Sequence, residues 1–224
     1  MTVKESGVRH AITDAARDIL ADDGVEALSM RSVAERVGVS ATAIYHYFQN
    51  KEELVGQVVQ QGFERFGEQL RQVAEEHPRG SLERVRAIGE AYLTFALENQ
   101  AYFRVLFGPQ HHDRVHALED LPEGGGYQLL RQAVADAMEA GTMRRADPDL
   151  VVMYLWSMAH GLLMISMACR IDQCPEFDHE NLERGPVELF RAFAPLVRDG
   201  VAASATASQG VTDVGTGDTP GGNA

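Results

Sequence analysis

Along almost the whole chain, apolar positions recur every three or four residues, and no stretch alternates apolar and polar convincingly enough to predict a strand. Over residues 8–22, Val8, Ile12, Ala15, Ala16, Ile19 and Leu20 share one helical face, and Gly24 stands where a helix commonly ends. Ser29 is placed to cap a short helix over 30–37, with Val33, Ala34 and Val37 turned inward. Gly38 permits a tight turn, and Ser40 opens a third helix over 41–47. Asn50 caps a fourth, with Glu52 and Glu53 in its first turn, where the helix dipole favours acidic side chains. That helix is expected over 51–76, long enough to join two domains rigidly.

The second half follows the same period. His77, Pro78, Arg79 and Gly80 break the long helix, and Ser81 opens one that reaches about residue 98. Asn99 caps a helix over 100–107, which Gly108 and Pro109 stop. Residues 110–126 read as a polar loop, and 127–140 as an amphipathic helix. Asp147 followed by Pro148 starts a long apolar helix to about residue 170, and Gly185 and Pro186 start a last one to about residue 198. From residue 200 the composition of Gly, Ala, Ser and Thr predicts a disordered tail. The pattern therefore predicts an all-α fold with a small unit over 1–55, a larger one over 56–199 and the tail over 200–224.

Two short helices joined by a glycine turn, behind a longer supporting helix, have the form of a helix-turn-helix that reads the major groove of DNA. Val33, Ala34, Val37, Val39 and Ile44 lock the pair together. The outer face of the second helix then carries Thr42, Ala43, His46 and Tyr47. Small side chains at Ala41, Thr42 and Ala43 allow close approach to base edges, and the hydroxyl and imidazole groups suit bases or phosphates. A plain helical hairpin would leave the run Tyr45, His46 and Tyr47 unexplained.

Charge complicates this reading. The chain carries a net charge of -13, and residues 1–55 hold six basic against nine acidic residues. Bulk attraction to phosphate is therefore weak, so contact must come from placed donors and non-specific affinity for DNA should be modest. Hydrophobic residues make up 45% of the 224, enough for a substantial core. Two cysteines, Cys169 and Cys174, cannot build a disulfide framework, and the first six residues hold no apolar run. Both features predict a cytoplasmic protein with neither signal peptide nor anchor.

The run from Gly38 through Val39, Ser40, Ala41, Thr42, Ala43, Ile44, Tyr45, His46, Tyr47, Phe48, Gln49 and Asn50 to Lys51, Glu52, Glu53 and Leu54 resembles the signature of TetR-family regulators. So do Ala16, Leu20, Gly24, Leu28, Ser29, Met30, Arg31, Val33 and Ala34 upstream. The chain departs from the pattern in carrying Tyr47 where the family often has histidine, with His46 one place earlier. The resemblance implies a ligand-responsive regulator, in most cases a repressor, that binds a near-palindromic operator as a homodimer. It makes Tyr45 and Lys51 phosphate contacts, and puts Ser40, Thr42, Ala43, His46 and Tyr47 at base- or phosphate-contacting positions. Ser29 and Arg31, with Ala41, complete the expected DNA-facing set.

The helix beginning at Pro148 is apolar almost all round, so it must be covered on both sides. A membrane span is the rival explanation, and Ser157, His160, Gly161 and Ser166 argue against it. Burial in a subunit interface fits better. With Val187, Leu189, Phe190, Phe193, Leu196 and Val197 of the last helix, it would pair with its twofold copy as a four-helix bundle, an arrangement that TetR-family dimers resemble. Trp156 and His160, followed by Gly161, resemble a Trp-x3-His-Gly motif of one large subgroup of that family. Two readings stand for His160: a polar handle in a ligand pocket, or a core histidine satisfied by a neighbouring carbonyl or carboxylate. Tyr92, Phe95, Phe103, Leu106 and Met138 are candidates to complete an apolar cavity with Trp156 and His160 for an unknown small-molecule effector. His111, His112 and His116 are read as a solvated loop rather than a metal site, and the cysteines lack zinc-ligand spacing. No phosphate-binding glycine loop, nucleophile elbow, HExxH or catalytic carboxylate pair is visible, so neither enzymatic activity nor a cofactor is expected.

Overall fold

The computed structural model describes residues 3–107, 125–168 and 185–201. The three loop histidines, both cysteines and the chain beyond residue 201 lie outside these. Among the described residues every regular element is a helix. They are α1 (Val3–Asp22), α2 (Met30–Val37), α3 (Ala41–Tyr45), α4 (Lys51–Glu75), α5 (Leu82–Glu98), α6 (Gln100–Phe107), α7 (Gly126–Glu139), α8 (Pro148–Ala168) and α9 (Pro186–Val201).

Local signals set most of the boundaries. At the end of α1, the amides of Asp23 and Gly24 both donate to the Ile19 carbonyl, and Gly24 turns the chain with φ +83°. Ser29 and Ser32 form a reciprocal cap on α2, each side chain accepting from the other's backbone amide. Ser40 caps α3 through the Ala43 amide, and Asn50 caps α4 through that of Glu53. Several boundaries differ from expectation, by up to five residues. Helix α1 begins five residues earlier than its apolar pattern, because a formed helix propagates through Lys4 and Glu5 at little cost. Helix α3 stops at Tyr45 rather than 47. Its last turn tightens, with His46 and Tyr47 donating to the carbonyls of Ala43 and Ile44, so that the chain is extended by the time it reaches Asn50.

Helices α1 to α3 and the first two turns of α4 enclose a small core of Ile12, Ala16, Val33, Ile44, Phe48 and Leu54, all essentially inaccessible to solvent. Helix α4 continues unbroken for 25 residues, roughly 38 Å. It enters a second helical layer, where Phe66, Leu70 and Ala74 are buried. There α4 packs on α5, α6 and α7, and α8 and α9 close the far side against α5. Two glycines mark close crossings: a Cβ at Gly126 would lie 2.4 Å from the Phe66 ring, and one at Gly89 2.5 Å from that of Phe190.

Among the described residues, helix α8 is covered on one side only. Val152, Leu155, Ala159, Leu162 and Leu163 are buried, whereas Leu150 is 68% exposed, Tyr154 53% and Ile165 54%. By length and composition alone, its stretch Pro148–Met167 is long and apolar enough to cross a membrane.

Candidate DNA-reading surface and effector cavity

The end of α3 projects from the small unit. Ser29, Arg31, Ser40, Thr42, Tyr45 and His46 are exposed, with Tyr45 56% accessible. Ala41, Ala43 and Tyr47 are half-buried, and Ala41 and Tyr47 pack against the core. Ile44 lies between them at full burial and fixes the rotation of the helix, which is why Thr42, Tyr45 and His46 point away. Ser29 and Ser40 already accept backbone amides as caps. Arg31 pairs with Glu35 at 3.0 Å, with both side chains largely exposed, a contact weak enough to exchange for another anion.

Lys51, expected at a phosphate, makes a contact that the sequence did not reveal. Its ammonium donates to the Val25 carbonyl at 2.5 Å, tying the start of α4 to the turn after α1. An ammonium has three donors, so this bond orients the group and leaves others open.

The second layer contains a cavity of about 440 Å³ between α4, α5, α7, α8 and α9. Its wall is mainly aromatic and aliphatic: Phe63, Phe66 and Leu70 from α4, Ile88 and Tyr92 from α5, Phe107 from α6, Tyr127 and Leu130 from α7, Val152, Leu155, Trp156 and Met158 from α8, and Phe190 from α9. Glu83, Arg86 and Arg191 bring charge to it. Of the residues expected to form a pocket, Tyr92 and Trp156 line this cavity. Phe95, Phe103, Leu106 and Met138 are buried in the core but do not. Phe95 packs behind Phe66, their ring centres 5.1 Å apart, and Leu106 fills the notch left by Gly62 on α4.

His160 stands one layer behind the wall. Its Nδ1 lies 2.6 Å from the Tyr92 hydroxyl, and its ring packs near those of Phe103 and Trp156. Burial lowers the His160 pKa and so favours neutral imidazole. Burial likewise raises the Tyr92 pKa, partly offset by a hydrogen bond with the Trp156 side chain. With the phenol protonated and the imidazole neutral, the tautomer sets the direction: the hydroxyl donates to a bare Nδ1, or Nδ1–H donates to the hydroxyl oxygen. A tyrosine hydroxyl thus stands where the core-histidine reading expected a carbonyl or carboxylate. Among the described residues, no group of three or more His, Cys, Asp or Glu side chains is gathered to hold a metal ion.

Among the described residues, α4 and α6 each join the two regions. Helix α4 is common to both. Helix α6 touches the cavity through Phe107 and packs on α1. On that side the Tyr102 ring lies 5.1 Å from the Arg17 guanidinium and 5.2 Å from that of Arg65, and Arg104 pairs with Asp22 at 3.6 Å. Sequence spacing alone gave no sign of these pairings. The inward row of Phe63, Phe66 and Leu70, by contrast, is legible as three- and four-residue spacing.

Comparison with known proteins agrees with this architecture. Residues 12–58 match the family model for bacterial regulatory proteins of the tetR family, and residues 85–186 match the Tetracyclin repressor-like C-terminal domain. The HTH-type transcriptional activator FasR of Mycolicibacterium smegmatis is 31% identical over 93 residues, 42% of either chain. An HTH-type transcriptional regulator of Staphylococcus aureus is 24% identical over 98 residues, 44% of this chain and 52% of its own. The matched stretches thus span only about half of these relatives' lengths. A Rhodococcus sp. RHA1 protein of unknown function superposes with a TM-score of 0.69 at 24% identity, covering 87% of this chain and 95% of its own. The ketosteroid transcriptional regulator KstR2 of Mycobacterium tuberculosis superposes at 0.62 with 18% identity, covering 88% and 95%. With an N-terminal and a C-terminal model of one family matched in order over well over half of its length, the chain belongs to the tetR family of bacterial regulatory proteins, helix-turn-helix transcription regulators.

Proposed function

We propose that the protein is a ligand-responsive transcription repressor that binds a near-palindromic operator as a homodimer, acts in the cytoplasm, and is released by a small molecule in the cavity. One observation carries this reading: Leu54 and Val58 of α4 are buried in the DNA-reading unit, while Phe63, Phe66 and Leu70 of the same unbroken helix wall the cavity. A molecule filling the cavity pushes directly on the lever that aims α3. Phe107 carries the same displacement through α6 to α1. Two α3 helices that fit successive grooves in the free dimer then no longer do so.

The uncovered side of α8, with Leu150, Tyr154 and Ile165, supports dimerisation through α8 and α9. Ser157 and Gly161 on that side let two helices approach closely. The reading keeps a DNA-reading unit up to about residue 55 and a sensing and dimerising unit over 56–199, with α4 as the shared strut. It also keeps the assignment to the Trp-x3-His-Gly subgroup, with His160 as a buttress for Tyr92.

The test is fluorescence anisotropy of the full-length protein on a fragment from its own promoter region. Tyr45→Ala should weaken binding at least tenfold without changing the melting temperature, since the side chain is exposed. Full affinity in that variant removes the assignment of α3 as reading helix. Deleting the gene should raise transcription from the bound promoter. A fall would place the protein with activators, the role that the name of the M. smegmatis relative carries.

A further inference from the structure

We propose that the molecule this cavity takes is an anionic amphiphile: a flexible apolar chain of about fifteen carbons ending in a carboxylate held between Arg86 and Arg191. This rests on the reading of the cavity as the effector site and adds the chemistry of its occupant.

The wall selects an apolar body. Its polar side chains on the aromatic side are already satisfied: Tyr92 pairs with His160 and Trp156, and the Tyr127 hydroxyl donates to Asp149 at 2.7 Å. A polar group on the ligand placed there would lose water and gain no partner. At about 30 Å³ for each water-sized group, 440 Å³ holds roughly fifteen of them. Met143 and Met158 on the wall are adaptable side chains that suit a flexible chain rather than one rigid outline.

Hydrogen-bond donors select the head group. Arg86 on α5 and Arg191 on α9 both reach the cavity, and both are braced by the mostly covered carboxylate of Glu90. Arg86 Nη1 donates to one Glu90 oxygen at 2.5 Å, and Arg191 Nε and Nη2 donate to the other at 3.0 and 2.9 Å. Two guanidinium groups thus share one carboxylate, which leaves several N–H donors for a second one; Glu83 on the wall and Glu188, whose charge acts on Arg191, balance the remaining positive charge, so the selection rests on the donors. Planar forks fixed from behind match a carboxylate's two oxygens. Glu83 also lines the cavity, but it is exposed and makes no hydrogen bond or ion pair with the described residues, so no fixed geometry favours a cationic head.

Trp156 is the chain's single tryptophan and lies on the cavity wall, so its emission reports occupancy. The full-length protein is titrated with tetradecanoate, tetradecanol and tetradecylamine below their aggregation limits, each also competed against the neutral dye Nile red. The acid is expected to bind at least tenfold more tightly than the alcohol or the amine. Arg86→Gln with Arg191→Gln should shrink that gap below threefold while alcohol binding persists, which shows that the variant is folded. Arg191→Lys, which keeps the charge but not the fork, should fall between. An alcohol or amine that equals the acid overturns the proposal, as does a gap that survives the double substitution. Ala159→Phe, or Ala159→Leu should the larger side chain lower the melting temperature, separates the two levels. If it excludes Nile red and the acid still has no advantage, the head-group assignment alone fails. If Nile red binding ignores it and no chain perturbs Trp156, the cavity reading fails too.

Discussion

The helix-turn-helix unit, proposed to read DNA, and the larger helical body are built from the same helical period and closed in different ways. In the reading unit, caps are local, the core is small, and the exposed surface is what remains outside once Ile44 and Phe48 are buried. In the body, helices distant in sequence converge without filling the space between them, and α8 leaves an apolar face uncovered. Under the proposed function, a reading head has to hold one geometry against a duplex, whereas a sensor has to retain space and a face for partners. The contrast makes each part sensitive to a different kind of substitution.

The largest expected effect is in the reading unit. Phe48→Ala empties a fully buried position and should cost about 3–5 kcal/mol. Urea denaturation gives the magnitude, and hydrogen exchange should show lost protection in α1 to α3 while α7 and α8 keep theirs. Equal loss in both would mean that the two regions unfold as one and that the contrast is only geometric.

Overpacking should act on the body instead. Gly126→Ala drives a methyl group into the Phe66 ring and should lower stability by about 1–3 kcal/mol. Thermal unfolding reads the loss, and effector response should change more than operator affinity does in the ligand-free protein. Tyr92→Phe keeps the ring but strips Nδ1 of His160 and the Trp156 side chain of their common partner, at about 1 kcal/mol. A stability unchanged within error would show that water replaces the hydroxyl.

The smallest effect is a pH dependence confined to the body. Burial lowers the His160 pKa below the ordinary value of about 6.5, so the unfolded chain takes up the proton more readily. The stability this contributes is fully present above about pH 6.5 and is lost as the pH falls through the lower folded value. His160→Gln should flatten that slope between about pH 7 and pH 5. An unchanged slope would assign the dependence to other groups.

The helices were legible because their signals are local. Ser29, Ser40 and Asn50 cap within three residues, Gly24 and Gly38 terminate within one, and Ile12, Val33 and Ile44 follow the helical period inward. The exposed positions of α3 were legible for the same reason, since one buried side chain on a short helix fixes which others point out. The cavity was legible only in outline. Tyr92 and Trp156 were expected on its wall, but Phe95, Phe103, Leu106 and Met138 have the same apolar character and were spent on packing. Residue type tells that a side chain is buried and does not tell whether it faces another side chain or a void.

By itself, then, the sequence determined the helical composition, the order of the helices, the turn that presents α3 and the family to which the chain belongs. Only the tertiary structure decided that Arg191 meets Glu90 across 101 positions, that Lys51 anchors to Val25, that Tyr102 lies between two arginines, and that α4, α5, α7, α8 and α9 leave about 440 Å³ open. Caps and periods are settled by interactions within a turn or two of helix. A void and its charged rim depend on how rigid helices far apart in the chain cross, and no local rule constrains that crossing.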